Sequence, residues 1–396
     1  MKILIVELDY RGHHIILYLN KLIGELLKKK HEVFLLTTKS TTNSEPFYIL
    51  KDKYLNQLSV YVIEDIDLNN NKNLINKFYF QLKYFFLLLS QITKLNNEYR
   101  FSRVYFNHFD PFFFAFAIFG YFFRSCKVSG LLLNIKFHQY FFGIKKKNIL
   151  DNIKLLLFKF FLKNLKLERV FIIDDLFKIF LKRKKIFSKK IVYINEAINK
   201  ITFLKKNICK KKLLINKKGK CILIYGSITQ RKGVLELLEA INLNILNGIY
   251  VIIAGKFEKK YFDEIKSFLD KNKILKKKII LLNKFISFNE ENYLFNLCDY
   301  VWLGYNHLSS DGSSGVLKLS IMAKKPVIAS DRGLIGFLVK KNKVGFLFSE
   351  NNLFNLQKIL RLISLYKSKR VFYKNLVIYR KKLLLNSFEK QISEVI

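Results

Sequence analysis

The chain has no cysteine spacing that would suit a disulfide framework or a zinc site. Cys126, Cys209, Cys221 and Cys298 stand far apart, with no CxxC and no histidine at ligand distance. They read as small core residues in a reducing compartment. No apolar run reaches the roughly 20 residues that a membrane span needs, and the longest, residues 112–123, stops well short. The start, Met1-Lys2-Ile3-Leu4-Ile5-Val6-Glu7, is too brief an apolar run for a signal peptide and reads as a buried strand. The expectation is a cytoplasmic protein that touches a membrane without crossing it.

Acidic residues are also scarce, 30 against 71 Lys and Arg, for a net charge of +41. Such a field attracts phosphates at long range, as nucleic acid or an anionic membrane surface presents them. The chain has only 3 Pro and 16 Gly beside 39 Phe and 21 Tyr, which is how an A/T-rich coding sequence drifts. A working basic face and plain drift therefore both stay open. With no zinc, helix-turn-helix or RNA-binding signature, nucleic acid is set aside as a partner.

What is present is length and alternation. At 396 residues, 51% of them hydrophobic, two domains are the natural division. Strand-like residues 2–6 lead through Leu8-Asp9-Tyr10-Arg11-Gly12-His13-His14 into an amphipathic helix at 15–30 and a strand at 31–38. This is the opening of a doubly wound sheet, where ligands sit at the carboxyl ends of strands. One glycine where three are needed makes it no dinucleotide fingerprint. A basic aromatic helix at 69–97 precedes strands at 103–108, 128–134 and 169–173. Two of these end in polar residues, His108 and Asp174-Asp175, and Lys136-Phe137-His138 follows the middle one. A strand-end His is either a hydrogen-bonded structural residue or a site residue.

Residues 205–220 are rich in lysine and read as a low-order domain boundary. Beyond them the alternation restarts, with strands at 220–225, 248–255, 278–282 and 299–303 and helices between. Then comes Asp311-Gly312-Ser313-Ser314-Gly315-Val316, a small polar turn before a helix and the strand-like Lys325-Pro326-Val327-Ile328-Ala329-Ser330. Such a turn either caps its helix with serine or gathers backbone N–H groups and a helix dipole onto one phosphate. Helices are expected at 353–365 and over 371–396.

Gly226-Ser227-Ile228-Thr229-Gln230-Arg231-Lys232-Gly233-Val234, Ile252-Ile253-Ala254-Gly255, Asn296-Leu297-Cys298-Asp299-Tyr300-Val301 and the stretch from Asp311 to Ser330 follow one another in a specific order. In order and spacing they resemble the donor-binding domain of GT-B glycosyltransferases, most closely the retaining, nucleotide-sugar-dependent group 1 set. The resemblance covers residues 220–350 well and the N-terminal half weakly. It implies an α/β protein of two facing Rossmann-like domains with a cleft between them. The N-terminal domain, 1–205, would bind the acceptor and the C-terminal one, 206–375, the donor, with a helix at 376–396 packing back on the first.

Residue by residue, the resemblance puts Lys232 on the donor diphosphate. There a fixed cation favours the transition state, in which the leaving group gathers negative charge. Ser227 stands where the family has Arg, and Arg231 is placed to supply that charge. Asp311 falls on the first of two family glutamates and Leu319 on the second, so the ribose needs another partner. Gly312, Ser313, Ser314 and Gly315 would share the phosphate contact, Gly12 and His13 would approach the donor, and His108 would face the sugar as the catalytic residue. His13 and His14 also suit the plainer role of helix-cap residues.

No cofactor and no metal are implied, since the nucleotide sugar is a substrate and no Asp-x-Asp triplet occurs. The expected activity is hexosyl transfer to a glycan or lipid-linked acceptor in bacterial surface polysaccharide synthesis, at the inner face of the cytoplasmic membrane. Stretches 78–89, 112–123 and 145–166 are the candidates for lipid contact. Leu319 and Ser227 keep a second reading in view, a GT-B-like binding or partner subunit with impaired catalysis.

Overall fold

Runs such as Lys2–Val6 and Ile249–Gly255 are apolar without alternation, the pattern of strands covered on both faces. The computed structural model describes residues 1–9, 14–54, 56–65, 74–123, 126–133, 135–241, 245, 248–306, 314–350, 352–365, 369–385 and 387–393. The chain divides into two compact units, Met1–Ala197 with Asn386–Ile396, and Ile198–Leu385. In both, every strand pairing among the described residues is parallel.

The first unit holds β1 (Lys2–Val6), β2 (Glu32–Thr38), β3 (Leu58–Ile63), β4 (Arg103–Phe106), β5 (Lys127–Leu132), β6 (Leu167–Ile172) and β7 (Ile191–Tyr193). Their order across the sheet is β3-β2-β1-β4-β5-β6-β7. The second unit holds β8 (Lys220–Tyr225), β9 (Ile249–Gly255), β10 (Ile279–Asn283), β11 (Tyr300–Leu303), β12 (Val327–Ser330) and β13 (Gly345–Phe348), in the order β10-β9-β8-β11-β12-β13. Both are Rossmann-like. The chain reverses its direction of travel between β1 and β4 in one sheet and between β8 and β11 in the other, and ligands enter such sheets at that point.

One face of the first sheet is covered by the helices Leu74–Tyr99, Phe113–Phe119 and Ile149–Lys163. The packing there is aromatic. Phe109 stacks on Phe106 with centroids 4.5 Å apart and meets Phe116 edge-on at 5.3 Å, and Phe116 meets Phe161 at 5.7 Å. Each such buried ring contributes about 1.5–3 kcal/mol relative to exposure. On the other face, Ile3 and Ile5 pack with Leu22 and Ile23 of the helix Asn20–Lys28.

Four expectations meet a different outcome. The helix expected at 15–30 begins as a π-helical stretch, His14–Leu19, whose wider turn buries Ile15, Leu17, Tyr18 and Leu19 together before the α-helix starts. The lysine-rich stretch 205–220 is not a low-order linker. It contains a helix, Lys206–Lys212, with Cys209 fully buried and Lys206 Nζ 2.6 Å from Asp299 Oδ2. The lysines there are the solvated face of a second-unit helix, and the unit boundary falls between Ala197 and Ile198. Finally, the C-terminal stretch splits between the units. Helix Lys369–Leu385 stays in the second, where Arg380 Nε donates to the Met322 carbonyl at 3.0 Å. Helix Phe388–Ser393 belongs to the first, with Phe388 edge-on to Tyr18 at 5.3 Å and Glu389 paired with Lys21. All four cysteines are buried, and none forms a disulfide among the described residues.

Candidate functional site

In the second unit β8 ends at Tyr225 and its neighbour β11 at Leu303, so the residues that follow both strands emerge side by side. After β8 the backbone turns at Gly226, passes a 3-10 turn, Gln230–Lys232, and enters the helix Val234–Ala240 through Gly233. Two glycines are demanded by this geometry. Gly255, at the end of β9, has φ +139°, and a Cβ there would lie 1.8 Å from the Gly226 carbonyl oxygen. Gly233 has φ +60°, and its Cβ would lie 2.1 Å from the Gly304 carbonyl oxygen. No other residue lets these backbones approach so closely.

Residues just past β11 and on it hold the turn in place. Trp302 Nε1 donates to the Lys232 carbonyl at 2.8 Å, Asn306 Nδ2 to the Gln230 carbonyl at 3.2 Å, and the Asn306 backbone N–H to the Arg231 carbonyl at 3.3 Å.

The turn thus delivers Lys232 into the protein, with only 3% of its surface exposed. Its ammonium donates to the Tyr225 carbonyl at 3.0 Å and to the Tyr305 hydroxyl at 2.6 Å, and lies 4.5 Å from the Tyr305 ring centroid. Among the described residues no carboxylate pairs with it. A buried cation held by dipoles and a ring face, with no carboxylate counter-charge among the described residues, is a site suited to receive an anion.

Arg231 is exposed, with its guanidinium carbon 5.3 Å from the same ring. The hydroxyl of Ser314 lies 3.5 Å from that of Tyr305. Ser314 also caps the helix Gly315–Met322 by accepting from the Leu317 N–H at 3.3 Å. From the other side, the Ser330 hydroxyl donates to the Tyr305 carbonyl at 3.0 Å. Tyr305 therefore joins the β8 turn, the end of β11, the helix start and β12.

Burial opposes ionisation of the Tyr305 phenol. The charge and hydrogen bond of Lys232, with help from Ser314 and Arg231, outweigh it and hold the group below its ordinary value of 10. The folded protein then releases this proton before the unfolded chain does, so stability gains from Tyr305 as pH rises towards 10. We expect Tyr305→Phe to remove the most acidic component of the ultraviolet tyrosinate titration. Urea melts should show the stability gap between wild type and variant widening from pH 7 to pH 10; a constant gap would contradict the Lys232 contact.

Of the residues expected at the site, Lys232, Arg231, Ser314 and Gly315 come to this point of the second unit. Ser227 is on the turn but exposed. Leu319 is buried on the Gly315–Met322 helix. Gly12, His13, Asp311, Gly312 and Ser313 lie outside the described residues. His108 belongs to the first unit, just past β4, with Nε2 3.4 Å from Asp110 Oδ2, which itself accepts the Leu133 N–H at 2.8 Å. Beside it, Asn107 and Glu7 are hydrogen-bonded to each other at the β1–β4 switch point. Tyr305 was not anticipated. Its signal in the sequence is an aromatic placed immediately after Gly304, at the mouth of a strand.

Residues 205–376 match the model of the family described as glycosyl transferases group 1. No curated protein sequence matches the chain. Among solved structures, a glycosyltransferase from Rickettsia africae ESF-5 is 17% identical with TM-score 0.66, over 99% of this chain and 96% of that one. Anabaena HepE, in complex with UDP and glucose, is 14% identical with TM-score 0.64, over 100% and 97%. WaaG, a glycosyltransferase involved in lipopolysaccharide biosynthesis, is 13% identical with TM-score 0.62, over 100% and 99%. The fold is that of GT-B glycosyltransferases, with two Rossmann-like domains. Within it, the second unit carries a group 1 glycosyl transferase domain.

Proposed function

We propose that this protein is a retaining hexosyltransferase, moving a sugar from a nucleotide-sugar donor to a glycan or lipid-linked acceptor in bacterial surface polysaccharide synthesis. The observation that carries the donor part is the buried Lys232, whose ammonium has no carboxylate partner among the described residues and lies at the β8–β11 switch point. The acceptor class is the reading that fits the WaaG likeness.

In this reading two of the three Lys232 N–H donors are engaged and the third meets an oxygen of the donor diphosphate. As the bond from the sugar carbon to the diphosphate breaks, charge accumulates on that oxygen and the fixed cation stabilises it. Arg231 adds a second, exposed cation. Ser314 and Gly315 offer the start of a helix to the same anion, Gly312 and Ser313 share that contact, and Asp311 serves the sugar. Gly12, His13 and His108 are kept as first-unit candidates on the family resemblance alone, His108 having Asp110 beside it at 3.4 Å. The acceptor hydroxyl attacks from the face the diphosphate leaves and gives its proton to a departing phosphate oxygen. The step calls for no metal. We place the work at an anionic membrane surface, where a lipid-linked acceptor is found.

Incubating the purified protein with a panel of nucleotide sugars, with and without glycan and lipid-linked acceptors, tests this. Release of nucleoside diphosphate from at least one donor, accelerated by one acceptor class, is expected. No release across the panel would sink the proposal.

A further inference from the structure

The helix Ile149–Lys163 is apolar on two opposite sides. Phe158, Phe161 and Leu162 face the aromatic core of the first unit, while Ile149, Ile153, Leu156 and Phe160 are 76%, 48%, 54% and 51% exposed. Those four positions, spaced 4, 3 and 4 residues apart, fall on one stripe of a 3.6-residue helix, pointing away from the buried side. A soluble helix places polar residues there.

The stripe continues beyond the helix. Leu165 is 84% exposed, and its neighbour Asn164 bonds to the Phe116 carbonyl at 3.2 Å, which sets the end of this helix against the next one. That neighbouring segment exposes Ile118, Tyr121 and Phe122.

Charge around the stripe has one sign. Residues 145–166 contain seven lysines and a single acid, Asp151. Asp151 is buried, caps its own helix and is bound to Lys145 at 2.6 Å. Lys146, Lys147, Lys159 and Lys163 are exposed beside the apolar residues. A second copy of the chain would bring an identical basic rim against this one, and the like charges would repel. An apolar stripe rimmed by lysine matches a bilayer with anionic headgroups, where apolar side chains enter the acyl boundary and lysines meet phosphates.

We infer that this outer face, from Ile149 to Leu165 with Ile118, Tyr121 and Phe122, is the surface by which the protein lies on an anionic lipid bilayer. The inference deepens the membrane part of the proposed function and rests on that reading only for its purpose. Of the three stretches picked out in the sequence, the structure favours 145–166. Much of 112–123 is spent on the core, where Phe112, Phe113, Phe116 and Phe123 are buried.

The full chain should be sedimented with phosphatidylcholine vesicles and with vesicles of equal phosphatidylcholine and phosphatidylglycerol. We expect binding only to the anionic vesicles, largely lost at about 0.5 M salt, where screening lengths fall to a few ångströms. Ile153→Ser combined with Leu156→Ser and Phe160→Ser should weaken binding at least tenfold. Lys159→Gln with Lys163→Gln should weaken it roughly fivefold per lysine. All five positions are exposed, so far-ultraviolet circular dichroism should be unchanged. Equal binding to both vesicle types, or binding untouched by both variants, would overturn the inference. So would a solution dimer dissolved by the triple serine variant, or capture of an acidic protein in place of vesicles. Nucleoside diphosphate release, measured without vesicles, reports separately on the transfer reading.

Discussion

Lys232→Met should lower kcat for sugar transfer by roughly a hundredfold or more, the usual loss when one fixed stabiliser of developing charge is removed. The variant keeps the length of the side chain and discards its charge. It also removes a buried cation that no carboxylate neutralises among the described residues, so the unfolding midpoint should move little. KM for the donor should rise less than kcat falls, because the interaction strengthens as the diphosphate leaves. Steady-state kinetics with the donor found in the panel checks the split. An unchanged kcat would mean that the Lys232 ammonium does not face the leaving group, and a collapse of the midpoint would mean that its role is to hold the Tyr225 and Tyr305 contacts together.

Gly255→Ala should be the most damaging small substitution in the second unit. The residue sits at φ +139°, which side chains rarely adopt, and the added methyl would fall 1.8 Å from the Gly226 carbonyl oxygen, a backbone atom that cannot rotate aside. Together these should cost about 3 kcal/mol or more, lowering the unfolding midpoint by roughly 6–12 °C for a unit of this size. Gly143→Ala is the control. It has φ +69° with nothing within 4 Å of the added carbon, so only the left-handed backbone penalty, about 1 kcal/mol, should appear. Thermal unfolding of the two variants in parallel separates crowding from conformation. Equal losses would show that the contact between β8 and β9 relaxes freely. A shifted Gly226 backbone should also reach Lys232, since a Cβ at Gly226 would lie 3.6 Å from its ammonium.

Much of this architecture was legible because buried parallel strands are written as unbroken apolar runs. Residues 2–6, 248–255 and 299–303 stand out for that reason. The strands that passed unread, Leu58–Ile63, Ile191–Tyr193 and Gly345–Phe348, are all at sheet edges and only partly buried; the last two are just 3 and 4 residues long and the first is interrupted by Ser59. Lys206–Lys212 was hidden for the opposite reason: one buried cysteine anchors a helix whose other residues are mostly lysine.

At the site, Lys232 was legible through its glycine-flanked turn, which is local in sequence. Tyr305 was not, because its meaning depends on a partner 73 positions away, and an aromatic beside a strand reads as core until the lysine is placed against it. The exposed stripe on Ile149–Lys163 shows the same limit from the other side. The sequence marks 145–166 as a candidate for lipid contact, but only the fold separates the side of the helix that meets the core from the side that does not.

The most direct measurement is calorimetric titration of UDP, and of the other nucleoside diphosphates in turn, into the full chain and into Lys232→Met. The expected result is saturable binding of at least one of them to the wild-type chain at one site, weakened tenfold or more in the variant, as befits loss of a buried charge-assisted contact to phosphate. Absence of binding by every nucleoside diphosphate, or equal binding to both chains, would contradict the assignment of Lys232 and its surroundings as the donor site.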